Sequence, residues 1–353
     1  MGKFAFIVHP DRAEDIKHFI LPAKYLPLRL AEGLGRVLPP LRVSEIKVES
    51  PCGTAEGFII SINITARQVD ALPQRAVINR LIRAGRIAER LGADIIGLGG
   101  STCLVRNLAQ EAFKTPVAGE SGYNIATALD SLEEAASMMG NSIQNAHAVV
   151  LGAAGPVGTV CSLILSGKVK SMTLVDSDKE KINELAGKIL FHSGMSSGIS
   201  NDPQKAVRSA RLVIAARTTG FNPVDLLPGT VLCDLNRPPR LGRKTGLARD
   251  DVLVIEGGAI KMPGLPGNYS EPGFPPGITG PLLAETILLA LEKSIQKPCP
   301  VSHMGTEEME SMRRLARKHG FTWAGLLGPG GDDRSRVCER VRNSALKRSP
   351  AAV

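Results

Sequence analysis

Three glycines, at 152, 155 and 158, separate an apolar run from a helical pattern in AVVLGAAGPVGTV (148–160). Glycines at such spacing let a chain turn tightly after a strand, bring backbone against a phosphate, and pack the next helix closely. The helix that follows aims free N–H groups and the positive end of its dipole at an anion. The pattern, G-x-x-G-x-x-G, is a shifted form of the dinucleotide fingerprint G-x-G-x-x-G. Gly152, Ala154, Gly155, Pro156, Val157 and Gly158 are therefore candidates to cradle a pyrophosphate. Asp176 follows Gly158 by 18 residues, at the end of the next apolar run, where an acid can hold ribose hydroxyls. A structural cap of the following helix is the alternative reading of Asp176. An acid there repels a 2′-phosphate, which favours NAD(H) and leaves NADP(H) open.

Other side chains could complete a hydride-transfer site. Ala216, Arg217 and Thr218 follow the next apolar run and suit a loop beside the nicotinamide. His9, after the first apolar run, is the leading proton-transfer candidate, because imidazole titrates near neutral pH. Lys261 is a second catalytic candidate, with Lys24 and His303 behind it. Gly100, Ser101 and Thr102 form a strand-to-helix turn whose amides and hydroxyls could bind a substrate anion, and Asn124 could orient the substrate. Helix capping accounts for Ser101 and Asn124 equally well. No metal site is expected: the six cysteines form no C-x-x-C pair, and no histidines have zinc-ligand spacing.

These residues need a scaffold that brings strand ends together. Apolar runs at 148–151, 171–175, 211–215, 231–234 and 252–256 alternate with helical patterns, the signature of a Rossmann-type doubly wound parallel sheet. Residues 1–140 read as an N-terminal α/β substrate and catalytic domain, and 141–270 as the dinucleotide-binding domain. Residues 257–280, rich in Gly and Pro, read as a long active-site loop. Residues 271–328 read as a C-terminal helical segment returning to the first domain, and 329–353 as a basic flexible tail.

Bulk composition sets wider limits. The 353 residues carry a formal charge of +9, but only 4% are aromatic, which argues against a base-stacking nucleic-acid surface. No apolar run reaches membrane-spanning length, and no targeting segment opens the chain, so a cytoplasmic protein with reduced thiols is expected. Its partner would be a small-molecule or acyl-thioester substrate; a homo-oligomer is compatible with all of this.

Several pieces, taken in order and spacing, resemble the cyanobacterial long-chain acyl-carrier-protein reductases and their wider dehydrogenase family. They are IVH (7–9), IGLGGST (96–102), GYNIATA (122–128), VVLGAAGPVG (149–158), VLCDLNRP (231–238), EGG (256–258), LAETILLALE (283–292) and RKHGF (317–321). GYN (122–124) is also similar, more loosely, to shikimate dehydrogenases. The resemblance implies reduction of an acyl thioester to an aldehyde with a nicotinamide cofactor, through a cysteine just before the Ala-Glu of the C-terminal helix. The matching position here is Leu282, and leucine cannot form a thioester. What remains open is direct hydride transfer at a carbonyl-type carbon, amino-acid or hydroxy-acid oxidation, or nucleotide sensing without catalysis.

Overall fold

The structure is a computed structural model. It describes residues 1–10, 13–20, 25–100, 102, 111–118, 122–217, 220–236, 241–264, 271, 274–275, 277–293, 305–326 and 334–348. Along the first third lie β1 (Gly2–Val8), α1 (Ala13–Phe19), α2 (Leu28–Val37), β2 (Leu41–Ser50), β3 (Gly53–Ser61), α3 (Ala66–Ala71), α4 (Gln74–Arg90), β4 (Ile95–Leu98) and β5 (Val117–Ala118). The middle carries α5 (Gly122–Met138), β6 (His147–Leu151), α6 (Pro156–Leu165), β7 (Ser171–Val175), α7 (Lys179–Ser193), β8 (Gly198–Ser200), α8 (Pro203–Val207), β9 (Leu212–Ala215) and β10 (Val231–Asp234). The chain ends with α9 (Leu241–Ala248), β11 (Leu253–Ile255), β12 (Gly258–Lys261), β13 (Ile278–Thr279), α10 (Pro281–Leu291), α11 (Thr306–Lys318), β14 (Thr322–Leu326) and α12 (Ser335–Arg348).

These elements form two compact units. The first comprises Met1–Tyr123, Ile260–Cys299 and Met312–Thr322; the second comprises Asn124–Ala259, Pro300–Ser311 and Trp323–Val353.

The second unit holds a six-stranded sheet in the order β11-β10-β9-β6-β7-β8. Every neighbouring pair in it is parallel. Numbered from its first strand, the order is 3-2-1-4-5-6 read from the β8 edge, that of a Rossmann fold. Its strands read as unbroken apolar runs because both faces are covered. Ala148, Val150, Leu174 and Ile214 enter one core, while Val149, Leu151, Val175 and Val213 enter the other. Successive side chains of a strand point to opposite faces, so each strand feeds both cores.

The first unit is built on a sheet in the order β2-β3-β1-β4-β5, in which only the β2–β3 pair is antiparallel. Phe4 and Phe6 of β1 face Leu283, Ala284, Ile287 and Leu288 of α10. Ala5 and Ile7 face Val77, Leu81, Ala84 and Ala88 of α4. On α4 the apolar positions recur at three- and four-residue intervals, so one stripe reaches the sheet while Arg83, Arg86 and Arg90 stay exposed.

Four expectations drawn from the sequence differ in the structure. The break near 140 falls at Tyr123/Asn124, because Ile125, Leu129, Leu132 and Ala136 of α5 enter the second unit's core. Residues 271–328 are not one segment: α10 covers the first unit's sheet, while Met309 and Leu326 join the second unit's core. The glycine-rich stretch 257–280 carries strands, with Ile260 opposite Thr279 and Lys261 opposite Ile278. The tail expected to be flexible contains α12, which buries Cys338, Val341 and Ala345 and pairs Arg348 with Asp250 at 2.8 Å. Its apolar residues at helical spacing outweigh its charge.

A buried histidine clamps the first unit. His319 is 1% exposed; its Nδ1 lies 2.8 Å from Ser50 Oγ and its Nε2 lies 2.6 Å from Glu292 Oε1. Ser50 Oγ also donates to Gly53 O at 2.9 Å, so the serine belongs to the β2–β3 turn and ties it to α10 and α11. The Lys318 ammonium, followed by the His319 ring, holds the Glu292 carboxyl below the usual carboxylate range, against the opposing push of burial. A depressed carboxylate contributes stability that is present above the unfolded value, about 4.3, and is lost as pH falls through the folded one. Glu292→Gln is therefore expected to lower Tm at pH 6–7 and to converge on the parent protein below about pH 4. A Tm difference that stays constant across that range in thermal melts would reject this account.

Candidate functional site

The glycine turn lies at the carboxyl ends of the central strands, beside the point where the strand order reverses between β6 and β9. After Leu151 the chain turns at Gly152, whose φ is +76°. A Cβ there would meet the Arg217 backbone nitrogen at 2.9 Å, so the turn passes too close to the end of β9 for a side chain. The N–H groups of Gly152 and Ala153 both donate to Val175 O, at 2.9 and 3.1 Å, fastening the turn to β7. Gly155 is the N-cap of α6 and offers no side-chain cap, and Pro156 occupies the first helical position. The first helical bond runs from Thr159 N–H to Gly155 O at 2.8 Å, so the Val157 and Gly158 amides precede the ladder. At Gly158 a Cβ would overlap the Gly152 carbonyl and stand 2.8 Å from Ala153 Cα.

Asp176 is built into this turn. Its Oδ2 accepts the Ala154 N–H at 3.1 Å, and its Oδ1 accepts the N–H groups of Ser177 and Asp178 at 2.7 and 3.2 Å. The residue is only 7% exposed. The cap of α7 is not Asp176 but Asp178, whose side chain accepts from Lys181 N–H. The Asp176 side chain thus sits between the glycine turn and the end of β7, its two oxygens accepting three backbone N–H groups.

The opposite flank comes from β9 and β10. Ala216 and Arg217 N–H groups both donate to Leu151 O, at 3.0 and 3.3 Å, and the Arg217 side chain is exposed. Thr218 lies outside the described residues. The sequence reading missed Asp234 and Asn236. The fully buried Asp234 carboxylate accepts from Asn236 N–H at 3.1 Å, from Asn236 Nδ2 at 2.6 Å and from Leu241 N–H at 2.8 Å. Asn236 Nδ2 also reaches Ala215 O at 3.3 Å, which fixes the crevice wall beside β9. An acid and an amide two residues apart after an apolar run would have been the signal.

In the first unit, His9 and Gly100 do come together. They follow β1 and β4, adjacent strands in which Ile7 pairs with Leu98. The His9 ring is 7% exposed and its Nδ1 lies 3.1 Å from Pro10 O. A carbonyl only accepts, so Nδ1 is the donor in this contact. Gly100 has φ +58°, and a Cβ there would collide with Nε2 and come within 3.1 Å of Cε1. Thr102 donates its hydroxyl to Gly99 O at 2.7 Å, a bond within the turn. Ser101 lies outside the described residues, as do Lys24 and His303.

The remaining candidates separate. Asn124 is buried in the first turn of α5, its carbonyl accepting from Thr127 Oγ1 at 3.1 Å, and belongs to the second unit. Lys261 is exposed at the end of β12. Leu282, in the first turn of α10, packs against both cores of the first unit. Glu285, on the same helix and missed in the sequence, is buried and accepts Tyr123 N–H at 3.1 Å. Among the described cysteines, Cys161, Cys233 and Cys338 are buried and Cys52 is exposed. Burial pushes the Cys161 thiol up to about 12, which leaves it inert. Cys103 and Cys299 lie outside the described residues. Among those described, no cluster of His, Cys, Asp or Glu could hold a metal ion, and no helix is long and apolar enough to cross a membrane.

No family model matches the chain. Among curated proteins it is 27% identical over 364 residues to the aminotransferase PigE of a Serratia species, a match covering 96% of this chain and 42% of that protein. The chain therefore spans less than half the length of that relative. Among solved structures it is similar to L-tryptophan dehydrogenase from Nostoc punctiforme, at 13% identity and TM-score 0.41, covering 98% of this chain and 89% of that one. Quinate dehydrogenase from Corynebacterium glutamicum in complex with NAD follows at 14% identity and TM-score 0.36, covering 88% and 98%. Shikimate 5-dehydrogenase from Listeria monocytogenes, in complex with shikimate and NAD, matches at 10% and 0.35, covering 89% and 96%. These scores fall below those of a shared overall fold, and the Rossmann assignment stands on the chain's own strand order.

Proposed function

We propose that the protein is a nicotinamide-nucleotide-dependent oxidoreductase that prefers NAD(H) and acts on a carbonyl-type carbon of a small substrate. The observation that carries this reading is the Asp176 carboxylate, bonded to the glycine turn at 3.1 Å. A turn that exposes amides to an anion, followed at once by a fixed carboxylate, matches a pyrophosphate joined to a ribose. Gly152, Gly155 and Gly158 give the backbone its close approach, the Val157 and Gly158 amides face the phosphates, and Asp176 takes the ribose hydroxyls. The bound nicotinamide supplies or accepts the hydride. The chain supplies a proton-transfer group, for which His9 Nε2 is the candidate.

Thioester reduction through a covalent intermediate needs a thiolate. Leu282 stands at the position where the resemblance places one, so direct transfer at a carbonyl carbon, or oxidation of an amino or hydroxy acid, is the better-supported chemistry. Nicotinamide fluorescence titrations test the cofactor reading. NADH is expected to bind, and Asp176→Ala to weaken it about tenfold while weakening NADPH less. Equal weakening of both would remove the ribose role, and absence of binding by either at millimolar concentration would remove the proposal. Binding without turnover on a panel of aldehydes, thioesters, amino acids and hydroxy acids would favour a nucleotide sensor instead.

A further inference from the structure

A cluster of cations lies in the first unit, on the face of α4 turned away from the sheet. Arg83, Arg86 and Arg90 recur at three- and four-residue intervals and so share one helix face. With Lys114, from the segment before β5, they line a cavity of about 760 Å³ whose remaining walls include Pro39, Pro40 and Ile87. Glu89 also lines it, but its Oε1 is taken by the N–H groups of Lys114 and Thr115, at 2.6 and 3.3 Å. That bond sets the position of the Lys114 backbone at the rim. All four cations are exposed, and among the described residues none has a carboxylate within ion-pair distance.

The positive field is dense enough to act on a neighbour. Arg80, one turn before, is held below its usual range first by burial and then by the charges of Arg83 and Arg36. Arg80 is itself spoken for, donating to Leu38 O at 2.9 Å and Ile62 O at 3.1 Å. Among the described residues these four cations have no ion-pair partner, Arg90 Nε donating to Arg86 O at 3.3 Å, and around one concavity they repel one another. Guanidinium forks match phosphate oxygens, and proline rings with an isoleucine offer a flat apolar wall.

We propose that this cavity binds a small polyphosphate anion bearing a planar ring, of the nucleoside diphosphate class, with its phosphates on Arg83, Arg86, Arg90 and Lys114 and its ring against Pro39, Pro40 and Ile87. The site is distinct from the glycine turn of the second unit and does not depend on it.

Isothermal titration calorimetry of the full chain with ADP and with inorganic pyrophosphate tests this. Arg83→Ala/Arg90→Ala is expected to weaken ADP at least tenfold with Tm unchanged, and Arg90→Lys to retain part of the affinity. Pyrophosphate should bind more weakly than ADP, because it lacks the ring. A control that removes the same charge elsewhere, Lys188→Ala/Lys347→Ala, should leave the affinity intact; an equal loss there would mean unspecific attraction and overturn the site. ADP binding abolished by Asp176→Ala but untouched by the arginine variant would place the ligand at the glycine turn and likewise overturn it. Tighter binding of a short DNA duplex than of ADP, weakened by the arginine variant, would overturn the small-ligand assignment. No heat with either probe at millimolar concentration would do the same.

Discussion

Gly155→Ala is expected to cost little stability and to weaken NADH binding tenfold or more, whereas Gly158→Ala is expected to destabilise the fold by about 1–3 kcal/mol. The two glycines lie three residues apart in one turn, yet different things hold them as glycine. Gly155 has φ −78°, open to any residue, and a Cβ there would meet only Gly152 O, at 3.3 Å. Alanine at a compatible backbone position changes stability by about 0.4–1 kcal/mol, often favourably, by restricting the unfolded chain. Among the described residues a methyl at 155 crowds only the Gly152 carbonyl, which has to give by a few tenths of an ångström, and the pyrophosphate proposed to lie against this backbone adds a second demand for glycine. A methyl group at that approach removes phosphate–amide contacts, and a tenfold loss corresponds to about 1.4 kcal/mol. At Gly158 the methyl would overlap backbone atoms of Gly152 and Ala153, which cannot swing aside as a side-chain tip can. Overpacking of that kind costs about 1–3 kcal/mol, and α6 would have to lift from the turn. Thermal melts paired with NADH titrations separate the two variants. Unaltered NADH affinity in Gly155→Ala would mean that no phosphate lies against this turn.

The contrast shows what a one-dimensional pattern carries. The glycine turn, α6 and β7 were legible because a parallel strand–turn–helix unit is largely local, although the close approach of Arg217 to Gly152 comes from beyond it. The 3-2-1-4-5-6 order was legible only as a class, since βα alternation restricts topology without saying which edge a strand joins. The bonds of Asp176 needed coordinates, because an acid after a strand can cap the next helix or turn back to the glycine turn. α12 was hidden by charge: Val337, Cys338, Val341 and Ala345 have helical spacing, but arginines and lysines between them resemble a solvated tail. Least legible were contacts across long separations. Ser50 and His319 lie 269 residues apart and Tyr123 and Glu285 lie 162 apart. No local period reports such pairs, which exist only because α10 and α11 return to the first unit.

The pairing of His9 with Gly100 was half visible, each residue standing alone at a strand end, and it supports the second large effect. Gly100→Ala is expected to act through His9. Two costs attend the methyl group. At φ +58° a non-glycine residue carries about 1–2 kcal/mol of backbone strain. The Cβ would also overlap Nε2 of a ring that is 7% exposed, so the imidazole has to leave its position. If His9 Nε2 moves the proton, His9→Ala lowers turnover by about 10²–10⁴, the usual range for a positioned acid or base. Gly100→Ala should then lower turnover almost as far, although it removes no functional group. The double variant decides the matter. With the ring gone, alanine at 100 meets only its own backbone strain, so the losses should not multiply, and the stability costs should fall short of their sum by about 0.5–3 kcal/mol. Turnover losses that do multiply would mean that the two residues act independently and that Gly100 is glycine for its turn alone. Equal turnover in His9→Ala and the parent protein, with Gly100→Ala still impaired, would move proton transfer elsewhere and leave the amides of the 99–102 turn as the groups the substrate needs.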